Sequence, residues 1–201
     1  MTMTTTGPRP SVREAILDAA DRRLARYGYK KMTVDELATD AGIGKGTIYL
    51  HFRSKEEVVL SHVDRIVERL LVGLEALAQR DQPAGKKLIA MLVHRVLFRF
   101  NAVQHYTESL NDVLAAVRPA LLHRRAAHFE SEAAVLARAL NDGRKSGELE
   151  CRSPTDTARA MIEATNALLP YNLSPQELGD RQNVERRATL IAQLLVRGVS
   201  A

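Results

Sequence analysis

Apolar and polar residues alternate along this chain with the period of α-helices. Apolar side chains recur three and four residues apart, as they do on one face of a helix. The first such stripe begins at the capping box Ser11-Val12-Arg13-Glu14 and ends at Gly28, a plausible left-handed stop. Similar stripes fill the rest of the chain, so the sequence predicts an all-α fold.

The stretch from Thr33 to Phe52 predicts two short helices joined by a tight turn. Thr33 and Glu36 form a second capping box, Gly42 lies at the turn, and Gly44 is the N-cap of the second helix. Ile48 and Phe52, four residues apart, would face the core. The outward residues are then Lys45, Gly46, Thr47, Tyr49, Leu50 and His51.

Such an outer face suits a groove lined with phosphates. Lys45 can attract phosphates, Thr47 and Tyr49 can donate hydrogen bonds to phosphate oxygens, and Gly46 and His51 lie where base edges could be approached. A helix-turn-helix places its second helix in the major groove of DNA. The alternative is a solvated helix within an all-α core, and periodicity alone leaves both open.

The stretch also resembles the DNA-binding signature of the tetracycline-repressor (TetR) family. The resemblance is carried by Thr33, Leu37-Ala38, the run Ala41-Gly42-Ile43-Gly44-Lys45-Gly46-Thr47-Ile48-Tyr49-Leu50-His51-Phe52-Arg53-Ser54-Lys55-Glu56-Glu57, and upstream by Ile16-Leu17-Asp18-Ala19-Ala20 and Tyr27-Gly28-Tyr29. It implies backbone contacts to DNA from Thr33, Lys45, Thr47, Tyr49 and Lys55, with Gly46 and His51 on the base-facing side. Gly44 departs from the family, which often has Ser there.

The resemblance covers about residues 11–60 in motif detail and continues beyond them as a general helical plan. We expect a disordered tail at residues 1–10 and a helix-turn-helix DNA-binding domain at 11–60. A helical regulatory and dimerisation domain would occupy residues 61–201. A third capping box, Ser54-Lys55-Glu56-Glu57, begins a long helix that could link the two domains mechanically.

The helix predicted from Lys86 to about His105 is apolar on most sides, which indicates central burial. Its polar residues must be satisfied by partners or by a ligand. Four residues fall on one side of it and are candidates to line a ligand pocket: His94, Phe98, Asn101 and His105. The alternative is that they are ordinary core or surface groups.

Further along, we expect a helix break near Arg118-Pro119, because proline disfavours a helical conformation in the residue before it. The segment Ser174-Pro175-Gln176-Glu177 predicts a turn. Two amphipathic helices, at Ser153–Pro170 and about Asn183–Gly198, end the chain. They could close the chain's own core or pair with a second copy.

The family resemblance favours a dimer through a four-helix bundle of these two helices from each subunit. The predicted interface residues are Met161, Ile162, Thr165, Leu168, Leu169, Ala188, Ile191 and Leu195.

Composition narrows the functional class. The net charge is +5, which favours an anionic partner without identifying it, and the single Cys151 excludes an intrachain disulfide. No apolar run reaches the roughly 20 residues of a membrane span. Metalloprotease, paired-cysteine, phosphate-loop and nucleophile-elbow motifs are absent. We expect no catalytic residues, metal or cofactor, and a cytoplasmic location.

These observations predict a dimeric repressor that binds a near-palindromic operator in double-stranded DNA. A small apolar or amphipathic effector would release it. The alternatives are an activator or ligand-blind regulator of the same fold, and a helical enzyme or small-molecule-binding protein.

Overall fold

The structure, a computed structural model, describes residues 11–106, 110–169 and 179–201, and these form eight α-helices. The helices are α1 Val12–Lys31, α2 Val34–Ala41, α3 Lys45–His51, α4 Lys55–Ala78, α5 Ala84–Val103, α6 Leu110–Lys145, α7 Pro154–Asn166 and α8 Arg181–Arg197. A 3-10 turn, Gln104–Tyr106, follows α5. The all-α prediction is confirmed. The predicted tail at 1–10 and the turn at 174–177 lie outside the described residues.

The chain divides into two compact units. The first contains described residues 11–64 and 110–117, and the second contains residues 65–106, 118–169 and 179–201. Inclusion of 110–117 in the first unit was not anticipated; there Lys30 of α1 forms a 2.9 Å ion pair with Asp112 of α6. The chain therefore runs from the first unit into the second, returns to the first for residues 110–117, and continues in the second, which local sequence patterns do not indicate.

The first unit has an apolar core shared by its helices. Gly28 interrupts α1 with a φ of 73°, as the sequence predicts for a left-handed stop, but the helix resumes to Lys31. The buried apolar side chains include Ile16, Leu17 and Leu24 of α1, Leu37 of α2, Ile48 of α3, and Val58 and Val59 of α4. Helices α1 and α2 pack against each other, as do α2 and α3.

Helix α5 lies at the centre of the second unit, in agreement with its apolar residues on most sides. It packs against α7 and α8. Its side chains contribute to two apolar clusters, one around Leu88, Met91 and Leu92 and the other around Val96 and Phe100.

A charged cluster is buried beside these apolar side chains. The side chains of Arg95 and Glu132 are fully buried, and Arg95 Nε donates to Glu132 Oε2 at 2.5 Å. Arg99 Nη2 donates to Glu132 Oε1 at 2.5 Å. Arg95 also donates to Thr165 Oγ1 at 2.8 Å and to Asn166 Oδ1 at 2.6 Å. The cluster joins α5, α6 and α7 by hydrogen bonds to charged groups.

The predicted helix break near Arg118 is wrong, because α6 continues through Pro119. An internal proline removes one backbone hydrogen bond and costs about 3 kcal/mol. The helix has packed side chains on both sides of Pro119, with Val113 and Val117 buried before it and Ala133, Leu136 and Leu140 buried after it. The packing of α6 on both sides of Pro119 therefore offsets the tendency of proline to interrupt the helix.

None of the helices in the described ranges is long and apolar enough to cross a membrane.

Candidate DNA interface

The cap and turn of α2 set the geometry of the candidate interface. Thr33 Oγ1 accepts a hydrogen bond from Glu36 N at 3.2 Å, and Glu36 Oε2 accepts from Thr33 N at 3.0 Å, so the predicted capping box is present. Gly42 ends α2 with a φ of 68°, which favours glycine. The turn then leads directly into α3.

Helix α3 separates an inner apolar face from an outer polar one. Ile48 and Phe52 are buried, as predicted, whereas Tyr49 is 50% exposed and Leu50 is 84% exposed. Lys45, Gly46 and His51 are exposed and Thr47 is half-buried. Gly44 caps the helix without a side-chain hydrogen bond, so the family's usual hydroxyl is missing here. The outer face of α3 thus presents the predicted DNA-contacting residues to solvent.

Lys45 is held by an acidic neighbour. Its Nζ lies 2.9 Å from Asp35 Oδ2, and both side chains are more than half exposed. Hydrogen bonding and attraction to Asp35 raise the pKa of Lys45. The ion pair joins the start of α2 to the start of α3, so it orients the Lys45 ammonium on the outer surface.

Lys55 has a structural contact as well as a predicted DNA contact. Its Nζ donates to the Tyr29 carbonyl oxygen at 3.1 Å and lies 4.1 Å from the centre of the Tyr29 ring. Burial, and then the charge of Glu56, raise the pKa of the Tyr29 hydroxyl. An ammonium group has three N–H donors, so Lys55 can bind Tyr29 and still donate to a phosphate.

Arg23 fixes α1 against α2. It donates to both carboxylate oxygens of Asp40, at 2.6 and 2.9 Å, and its Nη1 lies 2.9 Å from Glu36 Oε1. The hydrogen bond from Arg23 is the main cause that lowers the pKa of Asp40. A bidentate guanidinium–carboxylate pair has a defined geometry, so this contact orients α2, and with it the turn into α3.

The predicted ligand-pocket residues differ in their exposure to solvent. His94 and Phe98 are half-buried, with ring centres 5.4 Å apart, while Asn101 is exposed. The side chain of His105 lies outside the described part of the chain. His94 packs tightly on α4, since a Cβ added at Gly73 would lie 2.2 Å from His94 Nε2.

The predicted dimer residues are mostly committed to the chain's own core. Six are buried there: Met161, Ile162, Thr165, Leu168, Leu169 and Ala188. Ile191 and Leu195 are half-buried and pack against the apolar clusters. The apolar pattern in this part of the chain therefore marks the sides of the helices that face the chain's own core. These six buried side chains cannot also form an exposed surface for a second subunit. The exposed apolar residues of α8 are Leu190 and Leu194, each 58% exposed.

Sequence reasoning did not single out Asp35, Arg23 or Leu50, which the structure places at or beside the candidate interface. The first two act through contacts between helices, at separations of 10 and 17 residues, which no periodicity connects. Leu50 had a visible signal, because an apolar residue on the predicted outer face of α3 is out of place for a solvated helix.

Comparison with known proteins identifies the DNA-binding segment of the chain. Residues 16–61, which include α2 and α3, match the family model "Bacterial regulatory proteins, tetR family". An uncharacterized HTH-type transcriptional regulator, YhgD of Bacillus subtilis (strain 168), is 28% identical over 194 residues, 94% of this chain and 97% of its own. Residues 16–61 therefore carry a TetR-type DNA-binding domain, and the chain resembles a transcriptional regulator over most of its length.

Solved structures of TetR-type and related regulators share the fold of this chain. A transcriptional regulator from Cytophaga hutchinsonii has a TM-score of 0.77 at 18% identity, over 94% of this chain and 98% of that one. The complex of SmeT with triclosan has a TM-score of 0.67 at 24% identity, over 96% and 93% respectively. The TetR family and the relatives are DNA-binding transcriptional regulators rather than enzymes, which removes the enzyme alternative.

Proposed function

We propose that this TetR-family protein is a dimeric repressor that binds a near-palindromic operator and is released by a small effector. The observation that carries the proposal is α3, where Ile48 and Phe52 are buried while Lys45, Tyr49 and His51 are exposed. Two such helices, one from each subunit, would enter successive major grooves about 34–36 Å apart.

The proposed contacts divide into those that position the protein and those that read sequence. Lys45, Tyr49 and Thr47 supply donors on α3. Lys55, the first residue of α4, supplies a further donor, as does Thr33, the N-cap of α2, once its hydroxyl leaves Glu36 Oε2. Phosphate contacts of this kind carry no sequence information. Gly46 and His51 lie on the exposed face of α3, where base edges can be approached.

For the dimer, we propose an interface formed by the outer faces of α7 and α8. Leu190 and Leu194 are four residues apart on α8 and therefore lie on one face of that helix. The exposed small residues Ala160 and Ala164 on α7, with Ala167 at its C-cap, would allow a second copy to approach closely. Large exposed apolar side chains at helical spacing support a helix-on-helix interface.

The effector would bind in the second unit, and we propose that it is apolar or amphipathic. His94 and Phe98 offer an aromatic surface there. In the described part of the chain, His94 Nε2 is buried without a hydrogen-bond partner. Buried polar atoms are normally satisfied, so this nitrogen would gain a partner if a polar group of a ligand came between it and Gly73, on which it packs in this structure. The triclosan bound by SmeT is an example of a small effector-sized molecule on the same fold.

Release by an effector requires the effector to bind the DNA-free state more tightly than the DNA-bound state. The loss of operator affinity can be no larger than that difference. Helix α4 begins in the first unit and ends in the second, so it is the element we propose to carry the coupling.

The test begins with a binding selection from a random duplex library with the purified protein. Operator affinity is then measured by fluorescence anisotropy with triclosan as an apolar probe and decanoic acid as an amphipathic probe. We expect one dimer or more per palindromic duplex and weaker binding with at least one probe. Unchanged affinity with both would contradict the proposed effector class. Monomers that persist at the binding concentration would contradict the dimer.

The proposed dimer has its own test in the double variant Leu190→Glu/Leu194→Glu, which introduces two negative charges on the apolar face of α8. We expect it to sediment as a monomer and to lose operator affinity, whereas Leu122→Glu, at an exposed leucine of α6, should stay dimeric. A double variant that remains dimeric would place the interface elsewhere.

A further inference from the structure

Leu50 is an exposed leucine in the last turn of α3, next to its final residue His51. It is 84% exposed, whereas Ile48, two residues earlier, is 1% exposed. Two residues correspond to a rotation of about 200° around a helix, so Leu50 lies almost opposite the side that packs on the core. A leucine in this position exposes its apolar surface to water in the free protein, which is unfavourable unless a partner covers it.

The surroundings of Leu50 leave room for a close approach. Side chains on a helix lean towards its N-terminus, so Leu50 leans over Gly46, four residues earlier. A Cβ added at Gly46 would meet nothing within 4 Å, so the surface beside Leu50 is open. Together the two residues form a shallow apolar patch on the outer face of α3.

The residues around this patch are hydrogen-bond donors. Lys45, Tyr49 and His51 are all exposed beside it. The core of a protein–protein interface is depleted in charged residues, whereas here a single apolar side chain is surrounded by groups that suit phosphates and base edges. The partner with matching chemistry is duplex DNA, whose major groove presents one apolar group, the C5 methyl of thymine.

We propose that Leu50 contacts the C5 methyl of a thymine and so selects a T·A pair in each half-site of the operator. The inference rests on the proposed operator binding and assigns Leu50 a role in specificity. Backbone-contacting residues such as Lys45 would hold α3 in register, and Leu50 would discriminate among sequences through an apolar contact.

The test removes the methyl group and the side chain separately and together. A duplex selected from a random library by the wild-type protein is resynthesised with deoxyuridine in place of each thymine in turn, which deletes only the C5 methyl. Each duplex is titrated with wild-type protein, with Leu50→Ala, and with Val72→Ala. Val72 is another exposed aliphatic residue, on α4 in the second unit, and serves as the matched control. Circular dichroism checks that all three proteins are folded.

We expect deoxyuridine at one thymine per half-site to weaken wild-type binding about fourfold, the factor for loss of one buried methyl group. The same substitution should have no effect on Leu50→Ala and the full effect on Val72→Ala. The inference is overturned if no thymine responds in the wild type, if Leu50→Ala keeps the full response, or if the selected half-sites contain no thymine.

The outcomes separate this inference from the proposed function. A selected duplex that binds tightly but ignores the methyl groups overturns the role of Leu50 and leaves operator binding intact. A selection that enriches no duplex overturns operator binding and the role of Leu50 together. If Leu50→Ala instead changes the mass of the assembly without DNA, Leu50 lies in a protein interface and the inference is wrong.

Discussion

Glu132→Gln is expected to destabilise the second unit strongly, because it leaves buried arginines without their carboxylate. In the described residues, both terminal nitrogens of Arg99 donate to Glu132, at 3.1 and 2.5 Å. Arg95 has further acceptors in Thr165 and Asn166. Arg99 would therefore lose the most, since an amide offers it one acceptor oxygen and no charge.

The size of the effect follows from burial. Glu132 has no exposed surface and Arg99 is 7% exposed. Removing one partner of a buried ion pair costs about 3–5 kcal/mol. A domain has a total stability of about 5–15 kcal/mol, so the variant should lose a large fraction of it and unfold at a clearly lower urea concentration.

The assay is urea unfolding followed by circular dichroism at 222 nm. The protein concentration is kept fixed, because the stability of the proposed dimer would depend on it. Glu130→Gln is the matched control on the same helix, since Glu130 pairs with Arg159 at the exposed surface. Its unfolding midpoint should barely move. Arg99→Met in the Glu132→Gln background should recover part of the loss. Equal midpoints for Glu132→Gln and Glu130→Gln would refute the buried-charge argument.

Three further predictions concern other contacts. Burial, and then the charge of Arg80, lower the pKa of His94; the unfolded chain then binds protons more readily, so stability should fall as the pH drops through about 6.5. His94→Leu should flatten that fall in urea midpoints measured from pH 8 to 5.5, and an unchanged slope would contradict it. Arg23→Ala should lower the thermal midpoint more than Arg22→Ala, and equal shifts would show that the bidentate contact to Asp40 does not stabilise the first unit. Asp35→Asn should tighten binding to any duplex, because it removes a negative charge from the surface proposed to face DNA. Weaker binding, measured by fluorescence anisotropy, would show that the Asp35 carboxylate chiefly orients Lys45.

The helix-turn-helix could be predicted because its determinants are local. Thr33 and Glu36, which cap α2, are three residues apart, and Ile48 and Phe52, which form the buried side of α3, are four apart. Both features can therefore be recognised from residues that are close together in the sequence. The left-handed Gly42 follows from the same local chemistry. The ion pair from Asp35 to the first residue of α3 depends on the path of the turn, and spacing rules do not describe that path.

The dimer face is harder to predict from the sequence than the helix-turn-helix, and the reason is physical. An apolar stripe shows which side of a helix avoids water, and both a monomer core and a subunit interface satisfy it. In α7 the stripe through Met161 and Ile162 fills the chain's own core, and the faces left for a partner carry Leu190, Leu194 and small residues. An interface must therefore be sought among the residues that the stripe leaves out.

The partners of the buried charged residues could not be predicted from the sequence either. Arg95 and Arg99 stand out in the sequence as polar residues on an apolar helix, which requires partners for them. Their carboxylate lies 37 and 33 residues away on α6, and Thr165 lies 70 residues from Arg95 on α7. Because three helices must pack before these groups meet, a buried charge in the sequence indicates that a partner exists, and only the tertiary fold determines which residue it is.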